Sequence, residues 1–344
     1  MTKPKIMKTI FSFLIILVVF CHLLLPAQKT TLLLDKPGIY LPLRQTGVPE
    51  SNCGFTKTET TAFFLKLKGI TVAIGQQPVM NPPKGFDCKT EVTYWTCNLK
   101  EIYGIPAEIS FFFRSWSMEN GKEIQWINEP PEWAIQVNRL KAFIGSGYNV
   151  TTSEPNAVKP GFSRTKWEDA ADRLNELFFA PGEKEHLASG VDRYKGEIVI
   201  IYRSDRPAYW KQVTIREVFD LLLAYWRLNP NQESSEAITK MLEEEYSHFS
   251  VSERESFAYY GDSGTISKVG TDATQLPVLC VNREYWDKNL PRSAVQLLSF
   301  SCPGDKDFIR EEKDERLRND DGAYHLSRFL EEFDFRKLAS LIDN

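Results

Sequence analysis

The first 27 residues have the pattern of an export signal, which constrains where the rest of the chain folds. Lys3, Lys5 and Lys8 precede a run that extends from Thr9 to Leu25 without Asp, Glu, Lys or Arg. A basic segment followed by an apolar one is typical of a signal that directs a chain out of the cytosol. We therefore expect residues 28–344 to fold outside the cytosol, in the periplasm or as a secreted protein.

Three fates of this leader fit the sequence. Ala27 has the small side chain that a cleavage site prefers, and cleavage after it would release a soluble protein. The apolar run is near the lower limit of ~17–25 residues that span a bilayer, so a retained leader would act as a membrane anchor. A lipid anchor on Cys21 is disfavoured by the bulky Phe20 before it. We expect cleavage, and membrane contact if the leader is retained.

The charge of the chain bears on its partners. Without residues 1–27 the chain has 39 basic and 46 acidic residues, which gives a formal charge of −7. Nucleic-acid binders normally carry a basic surface, and proteins that charge alone holds on anionic lipid carry clusters of Lys and Arg. The sequence therefore predicts neither a nucleic-acid partner nor electrostatic docking on a membrane.

Local composition divides the chain into two parts and predicts an α+β fold. We predict a β-rich domain over residues 28–150, sandwich-like or a small barrel, because aromatic and β-branched runs alternate there with turn clusters. Asn120-Gly121 between two such runs predicts a hairpin. A linker or long loop (151–166) and a mixed α+β domain (167–344) follow. The predicted strands of the first part are Thr61–Leu67, Ile70–Ile74, Glu108–Phe113 and Ile124–Ile127.

The second part contains a strong helix-start pattern. Thr214 and Glu217 have the Thr-x-x-Glu spacing of a capping box, and the predicted helix ends at Leu228 because Asn229 precedes a proline. Further helices are predicted at 167–179, at 233–246 and around Leu326, Phe329, Leu330 and Phe333, whose apolar stripe we assign to core packing. The predicted strands are 196–203, 278–281 and 294–300.

The cysteines suggest two disulfides, because exported thiols tend to oxidise. Cys88 and Cys97 flank a short segment, and Cys280 and Cys302 bracket a longer one, so we predict these two pairs and leave Cys53 unpaired. The alternative is that one or both pairs stay reduced and buried as small hydrophobic residues.

Motifs for catalysis and for metal binding are incomplete. Gly261-Asp262-Ser263-Gly264 resembles the nucleophile segment of serine proteases, but the Gly-Pro that follows there is replaced by Thr265-Ile266. Asn319–Gly322 fails as a calcium loop, because Leu317 and Arg328 occupy the first and last ligand positions. We predict no metal and no cofactor, and we assign no catalytic residue.

Aromatic and charged residues follow two of the predicted strands. Loops at strand ends are where binding groups usually lie, and Trp and Tyr beside Arg and Asp can stack on and hydrogen-bond a sugar ring or a peptide. The alternative is that these aromatics are packed in the core with their polar ends hydrogen-bonded. The predicted ligand-binding residues are Arg203, Asp205, Arg206, Tyr209, Trp210, Arg283, Tyr285 and Trp286.

These features favour a non-catalytic binding or interaction protein of the cell envelope, with a glycan, a peptide or another protein as its partner. A second hypothesis is a hydrolase that acts on envelope carbohydrate or peptide through carboxylates that are dispersed in the sequence. A third is a structural subunit of an assembly.

Overall fold

A computed structural model describes residues 31–43, 54–94, 104–125, 130–139, 165–179, 183–194, 198–229, 232–261, 266–268, 270, 275–301 and 323–343. The leader, most of the predicted linker, the segment around Ser263 and the segment Asn319–Gly322, which was rejected as a calcium loop, lie outside these residues. Within them the chain has an α+β fold, in which helices pack on a ten-stranded and a five-stranded sheet.

The helices of the described part are α1 (Lys57–Gly75), α2 (Lys166–Asn175), α3 (Ile215–Leu228), α4 (Gln232–Ser247), α5 (Val251–Arg254) and α6 (Ala323–Glu332), with short 3₁₀ helices at Pro78–Met80, Arg283–Tyr285 and Phe335–Leu341. The strands are β1 (Thr31–Leu32), β2 (Tyr40–Leu41), β3 (Phe86–Tyr94), β4 (Ala107–Glu119), β5 (Lys122–Gln125), β6 (Glu132–Val137), β7 (Leu177–Phe179), β8 (Lys184–Ala188), β9 (Val191–Tyr194), β10 (Ile198–Ile201), β11 (Trp210–Gln212), β12 (Tyr259–Gly261), β13 (Ile266–Ser267), β14 (Gln275–Val281) and β15 (Leu298–Ser301).

The larger sheet contains strands from both predicted parts of the chain. Its order is β2-β3-β4-β6-β15-β10-β9-β8, with β1 and β5 also paired to β4. All of these pairs are antiparallel except β2 with β3. Val137 of β6 lies opposite Leu298 of β15, so residues 28–150 and residues 167–344 contribute to one sheet.

Helix α1 corrects two strand predictions. Thr61–Leu67 and Ile70–Ile74 were predicted as strands from their aromatic and β-branched residues, and both lie within this helix. The buried apolar side chains are Phe63, Leu67, Ile70 and Ile74. Their spacing of four, three and four residues places them on one helical face. The strand prediction was wrong because the burial of this face outweighs intrinsic β-propensity.

One N-terminal pattern begins several helices. Thr56 Oγ1 accepts a hydrogen bond from the Glu59 amide at 3.2 Å, while Glu59 Oε2 accepts from the Thr56 amide at 2.7 Å. The same reciprocal pair joins Thr214 to Glu217, as predicted. It recurs at Thr165 with Glu168 and at Ser250 with Glu253. Each pair satisfies two amides that a helix start leaves without partners.

Several local predictions are confirmed. Asn120 and Gly121 adopt positive φ angles of 51° and 74° between β4 and β5, as the predicted hairpin turn requires. Helix α3 ends at Leu228, as predicted.

The helix predicted at 167–179 is right only in its first part. Helix α2 ends at Asn175, and Leu177–Phe179 forms strand β7, which pairs with β14.

The main core lies between one face of the larger sheet, termed the inner face, and helices α1 and α6. Phe111, Phe113, Trp133, Ile135 and Phe300 mark this face, and each is at most 2% exposed. The stripe of α6 packs on it, with the Phe329 ring 4.9 Å from that of Trp133. This contact confirms the core assignment of the stripe.

The structure describes two of the four cysteines in the predicted disulfides. Cys88 is buried on the inner face and Cys280 lies in β14, and neither forms a disulfide with another described residue. Cys97 and Cys302 lie outside the described residues, so the two pairings stay predictions.

Candidate functional site

The structure brings the predicted aromatic residues together. Trp210 of β11 lies opposite Val281 of β14, and this pairing places the loop before β11 beside the turn after β14. The rings of Tyr209 and Trp210 are 5.1 Å apart, and those of Tyr285 and Trp286 are 5.5 Å apart. Segments that are distant in the sequence therefore contribute to one cluster, termed the aromatic cluster, which also contains Phe178, Tyr194, Tyr202 and Leu297.

This cluster is a core, and its rings are covered. Tyr209, Trp210, Tyr285 and Trp286 are 4%, 7%, 0% and 8% exposed. They fill the space between the smaller sheet and the outer face of the larger one, which is the face opposite α1 and α6. Rings packed in this way present little surface on which a sugar could stack, so their direct role here is to support the loops around them.

The predicted charged residues have separate environments. Arg203 binds Asp205 through two hydrogen bonds of 2.8 and 2.6 Å at the surface. The pKa of the Asp205 carboxyl is lowered to about 2, mainly because of the hydrogen bond from Arg203. Arg206 donates a 2.6 Å hydrogen bond to the buried amide of Gln296, and Arg283 pairs with Glu176. Arg203 and Asp205 therefore form a surface ion pair, whereas the Arg206 guanidinium lies against the aromatic cluster, 5.7 Å from the centre of the Tyr285 ring.

A buried carboxylate, Asp192 of β9, lies beside this cluster and was not predicted. It is 1% exposed. Oδ2 accepts a 2.7 Å hydrogen bond from the Tyr209 hydroxyl, and Oδ1 accepts one of 3.2 Å from the Tyr202 hydroxyl. The Tyr209 oxygen is also 2.9 Å from the hydroxyl of Tyr194. These hydrogen bonds replace the water that burial removes from the carboxylate.

Two exposed side chains complete the surroundings of Asp192. Nδ1 of His186 is 2.9 Å from Asp192 Oδ1, and Nζ of Lys184 is 3.5 Å from Oδ2. Because a carboxylate accepts hydrogen bonds, Nδ1 carries the proton in this contact, and Nε2 of the neutral ring is an acceptor. The side chains of His186 and Lys184 are 58% and 54% exposed. We call Lys184, His186, Asp192, Tyr202 and Tyr209 the Asp192 site.

Strand register explains why these groups meet. The turn at Gly190, with φ of 77°, joins β8 to β9, and a register shift between His186 and Ala188 places His186 directly opposite Asp192. Asp192 lies opposite Ile200 of β10, which lies opposite Ser299 of β15. Directly opposed residues of antiparallel strands share a face, so His186 and Asp192 end a cross-strand row on the outer face.

The tyrosines of the site act as hydrogen-bond donors over the physiological pH range. Burial, and then the negative charge of Asp192, raises the pKa of Tyr202 to about 12. Burial also raises the pKa of Tyr209 well above its ordinary value of 10, and the neighbouring Tyr194 and Asp192 raise it further. Both hydroxyls therefore keep their protons and donate to Asp192.

The sequence contained one signal that points to this site. Ser189-Gly190 is a short turn pattern between two segments in which residues alternate, Lys184-x-His186 and Asp192-x-Tyr194. A regular hairpin on this turn would place Leu187 opposite Asp192, so a one-residue register shift between His186 and Ala188 is also needed to bring His186 onto the face of Asp192. The prediction missed it because the segment has few aromatic or β-branched residues to identify its strands.

The described residues contain no group of three or more His, Cys, Asp or Glu side chains placed to hold a metal ion. Among these same residues, no helix combines the length and the apolar character needed to cross a bilayer. Searches for related proteins found no matching family model, no matching curated protein and no matching solved structure.

Proposed function

We propose that this protein is a non-catalytic binding protein of the cell envelope, and that its glycan or peptide ligand contacts the Asp192 site. One observation supports this proposal above all. The buried carboxylate of Asp192 holds the exposed His186 in one orientation while two tyrosine hydroxyls fix the carboxylate itself. Polar groups that are fixed before the ligand arrives lose less conformational entropy on binding.

The groups around the site suit a polar ligand. His186 offers Nε2, which accepts a hydrogen bond when the ring is neutral and donates one when it is protonated, and Lys184 offers a charged donor at the same edge of the sheet. Arg203 follows Tyr202 in the chain, and its backbone amide donates a 3.1 Å hydrogen bond to the Tyr285 hydroxyl. This bond fixes the backbone of Arg203 at the edge of the aromatic cluster. Hydroxyl, amide and carboxylate groups of a glycan or a muropeptide are suitable partners for these side chains.

A second candidate function follows from the His186–Asp192 pair. A carboxylate that fixes one imidazole nitrogen leaves the other free to remove a proton from water, as in general-base catalysis. This geometry favours a hydrolase in which His186 activates water and Asp192 positions the ring. The substrate class would be the same envelope carbohydrate or peptide.

Thermal stability in the presence of glycans, muropeptides and peptides tests the binding proposal. A ligand at 100 times its dissociation constant raises the free energy of unfolding by about 2.7 kcal/mol. We expect such a shift in the wild type and its loss in His186→Ala and Lys184→Ala. His248→Ala is the matched control, because His248 is exposed outside the site. A ligand that stabilises all three variants equally would place the binding surface elsewhere.

Turnover of the bound compound separates the two functions. A binding protein leaves the compound intact, whereas the hydrolase predicts product whose formation falls at least about 100-fold in His186→Ala. Product formation that persists in His186→Ala at the wild-type rate would contradict the role of this pair in catalysis.

A further inference from the structure

The C-terminal segment, residues 323–343, covers the inner face of the larger sheet. Phe329 of α6 packs 4.9 Å from the Trp133 ring and 5.4 Å from that of Phe113. Beyond α6, Phe335 stacks on Phe300 at 5.1 Å. The segment therefore supplies one side of the main core, and its position depends on how α6 contacts the sheet.

His325 lies inside that contact without a hydrogen-bond partner. It is fully buried, and within the described part of the chain neither Nδ1 nor Nε2 has a donor or acceptor in reach. Its ring is 4.9 Å from that of Phe86. A Cβ on Gly85 would be 2.5 Å from His325 Cε1, so the ring rests directly on the backbone at the start of β3.

The groups that face His325 do not compensate a positive charge. From its own helix, Tyr324 contacts the ring edge-on, and Arg328 adds a like charge that disfavours protonation. The β3 side contributes Gly85 and Phe86, with the buried thiol of Cys88 further along the same face. Leu34 contributes backbone atoms beside Gly85, and the adjoining 3₁₀ turn Pro78–Met80 contains no titratable side chain.

The acidic groups near this contact are engaged elsewhere. Asp87 follows Phe86 on the opposite face, where it accepts hydrogen bonds from the Ile39 amide and from the side chains of Trp116 and Gln125. On α6, Glu332 pairs with Arg328 at 2.9 Å. A proton added to His325 would therefore create a buried charge beside apolar rings and a guanidinium, which is strongly unfavourable.

We propose that residues 323–343 form an acid-sensitive cover, and that protonation of His325 releases helix α6 from the inner face. The far end of the cover is held independently, because Asp343 Oδ2 accepts hydrogen bonds of 2.6 Å from the Val295 amide and from Lys66 Nζ. Release therefore begins at α6, while the chain stays attached at residue 343.

The direction of the pH dependence follows from linkage. Burial, followed by the charge of Arg328, lowers the pKa of His325 from 6.5 to about 4. The released helix, in which the ring reaches water, binds a proton more readily than the docked helix. The docked state is therefore unaffected above pH 6.5 and is weakened as the pH falls towards 4, and the opening equilibrium rises about 100-fold over this range.

Hydrogen exchange of α6 tests this proposal. Exchange rates of the wild-type protein at pH 7.5, 6, 5 and 4, corrected for intrinsic chemical exchange, give the opening equilibrium of residues 323–332 and, as an internal reference, of α3. We expect an increase of about 100-fold in α6 between pH 7.5 and 4, and a much smaller change in α3. An α6 equilibrium that is constant with pH, or that rises in step with α3, would overturn the proposal.

Variants assign the effect to one side chain. His325→Phe keeps an aromatic ring in the contact and removes the titration, so α6 should open equally at all four pH values. His325→Gln is a second neutral variant in case the Phe variant fails to fold. His248→Gln removes an exposed histidine and should keep the wild-type response. The same pH response in the neutral His325 variants as in the wild type would contradict the role of His325.

Discussion

The Tyr209 hydroxyl donates a 2.7 Å hydrogen bond to Asp192 Oδ2. Its single proton is used in that bond, so the 2.9 Å contact with Tyr194 must be a hydrogen bond that Tyr194 donates. The result is a directed chain from Tyr194 through Tyr209 to Asp192, and all three residues are at most 7% exposed. The Tyr209 hydroxyl is therefore the hydrogen-bond partner of two buried polar groups, the Tyr194 hydroxyl and Asp192 Oδ2.

Replacing Tyr209 by Phe should destabilise the protein more than replacing Tyr194 by Phe. Tyr209→Phe leaves the buried Tyr194 hydroxyl without its partner, which costs about 1–3 kcal/mol, and it also removes the 2.7 Å hydrogen bond to Asp192 Oδ2, which keeps the longer contact of 3.5 Å with Lys184. Tyr194→Phe removes a donor that only Tyr209 uses, so about 1 kcal/mol is expected. Urea denaturation measures both free energies of unfolding. Equal losses in the two variants would contradict the directed chain.

Much of the fold was predictable where one local interaction decides the structure. The capping box at Thr214, the helix end at Leu228 and the turn at Asn120-Gly121 each depend on a few neighbouring residues. Helix α1 was missed although Thr56 and Glu59 carry the same capping pattern as Thr214 and Glu217, because its aromatic and β-branched residues were interpreted as strands.

The candidate site was less predictable because it depends on distant pairings. The loops with Arg203 and Tyr285 were identified correctly as neighbours of strands, but the depth of their rings is set by packing of the smaller sheet on the larger one. Asp192 gains its role from Tyr202 and Tyr209, ten and seventeen residues further along the chain. Contacts between residues this far apart in the sequence cannot be predicted from a short motif.

Replacing Trp210 or Trp286 by Ala should destabilise the fold and not merely the binding of a ligand. Both rings are at most 8% exposed within the aromatic cluster, and removal of a buried Trp costs about 3–5 kcal/mol. Thermal or urea denaturation followed by circular dichroism measures the loss. Phe257→Ala is the control, because that ring is 51% exposed and should cost less than about 1 kcal/mol. Variants of Trp210 and Trp286 as stable as the control would show that the rings are not packed as described.

The capping boxes should contribute measurably to stability. Thr56→Ala and Thr214→Ala each remove the oxygen that accepts from the third helical amide, which costs about 1 kcal/mol. Ser at either position keeps that oxygen and should restore most of the loss. Thr58→Ala is the control in α1, because Thr58 is exposed in the first turn and is not the cap. A loss in Thr58→Ala as large as that in Thr56→Ala would contradict the specific role of the box.

The two described cysteines should differ in their reactivity towards iodoacetamide. Burial raises the pKa of the Cys280 thiol to about 11 and that of the fully buried Cys88 thiol further, and the thiolate is the reactive form. At pH 8 we expect slow labelling of Cys280, slower labelling of Cys88 and rapid labelling of both in urea. Mass spectrometry of the peptides measures the rates. Labelling of Cys88 as fast as Cys280 in the folded protein would contradict its burial.

Resistance to labelling in urea until a reductant is added would instead support the predicted pairs with Cys97 and Cys302, because a disulfide has no thiol to alkylate.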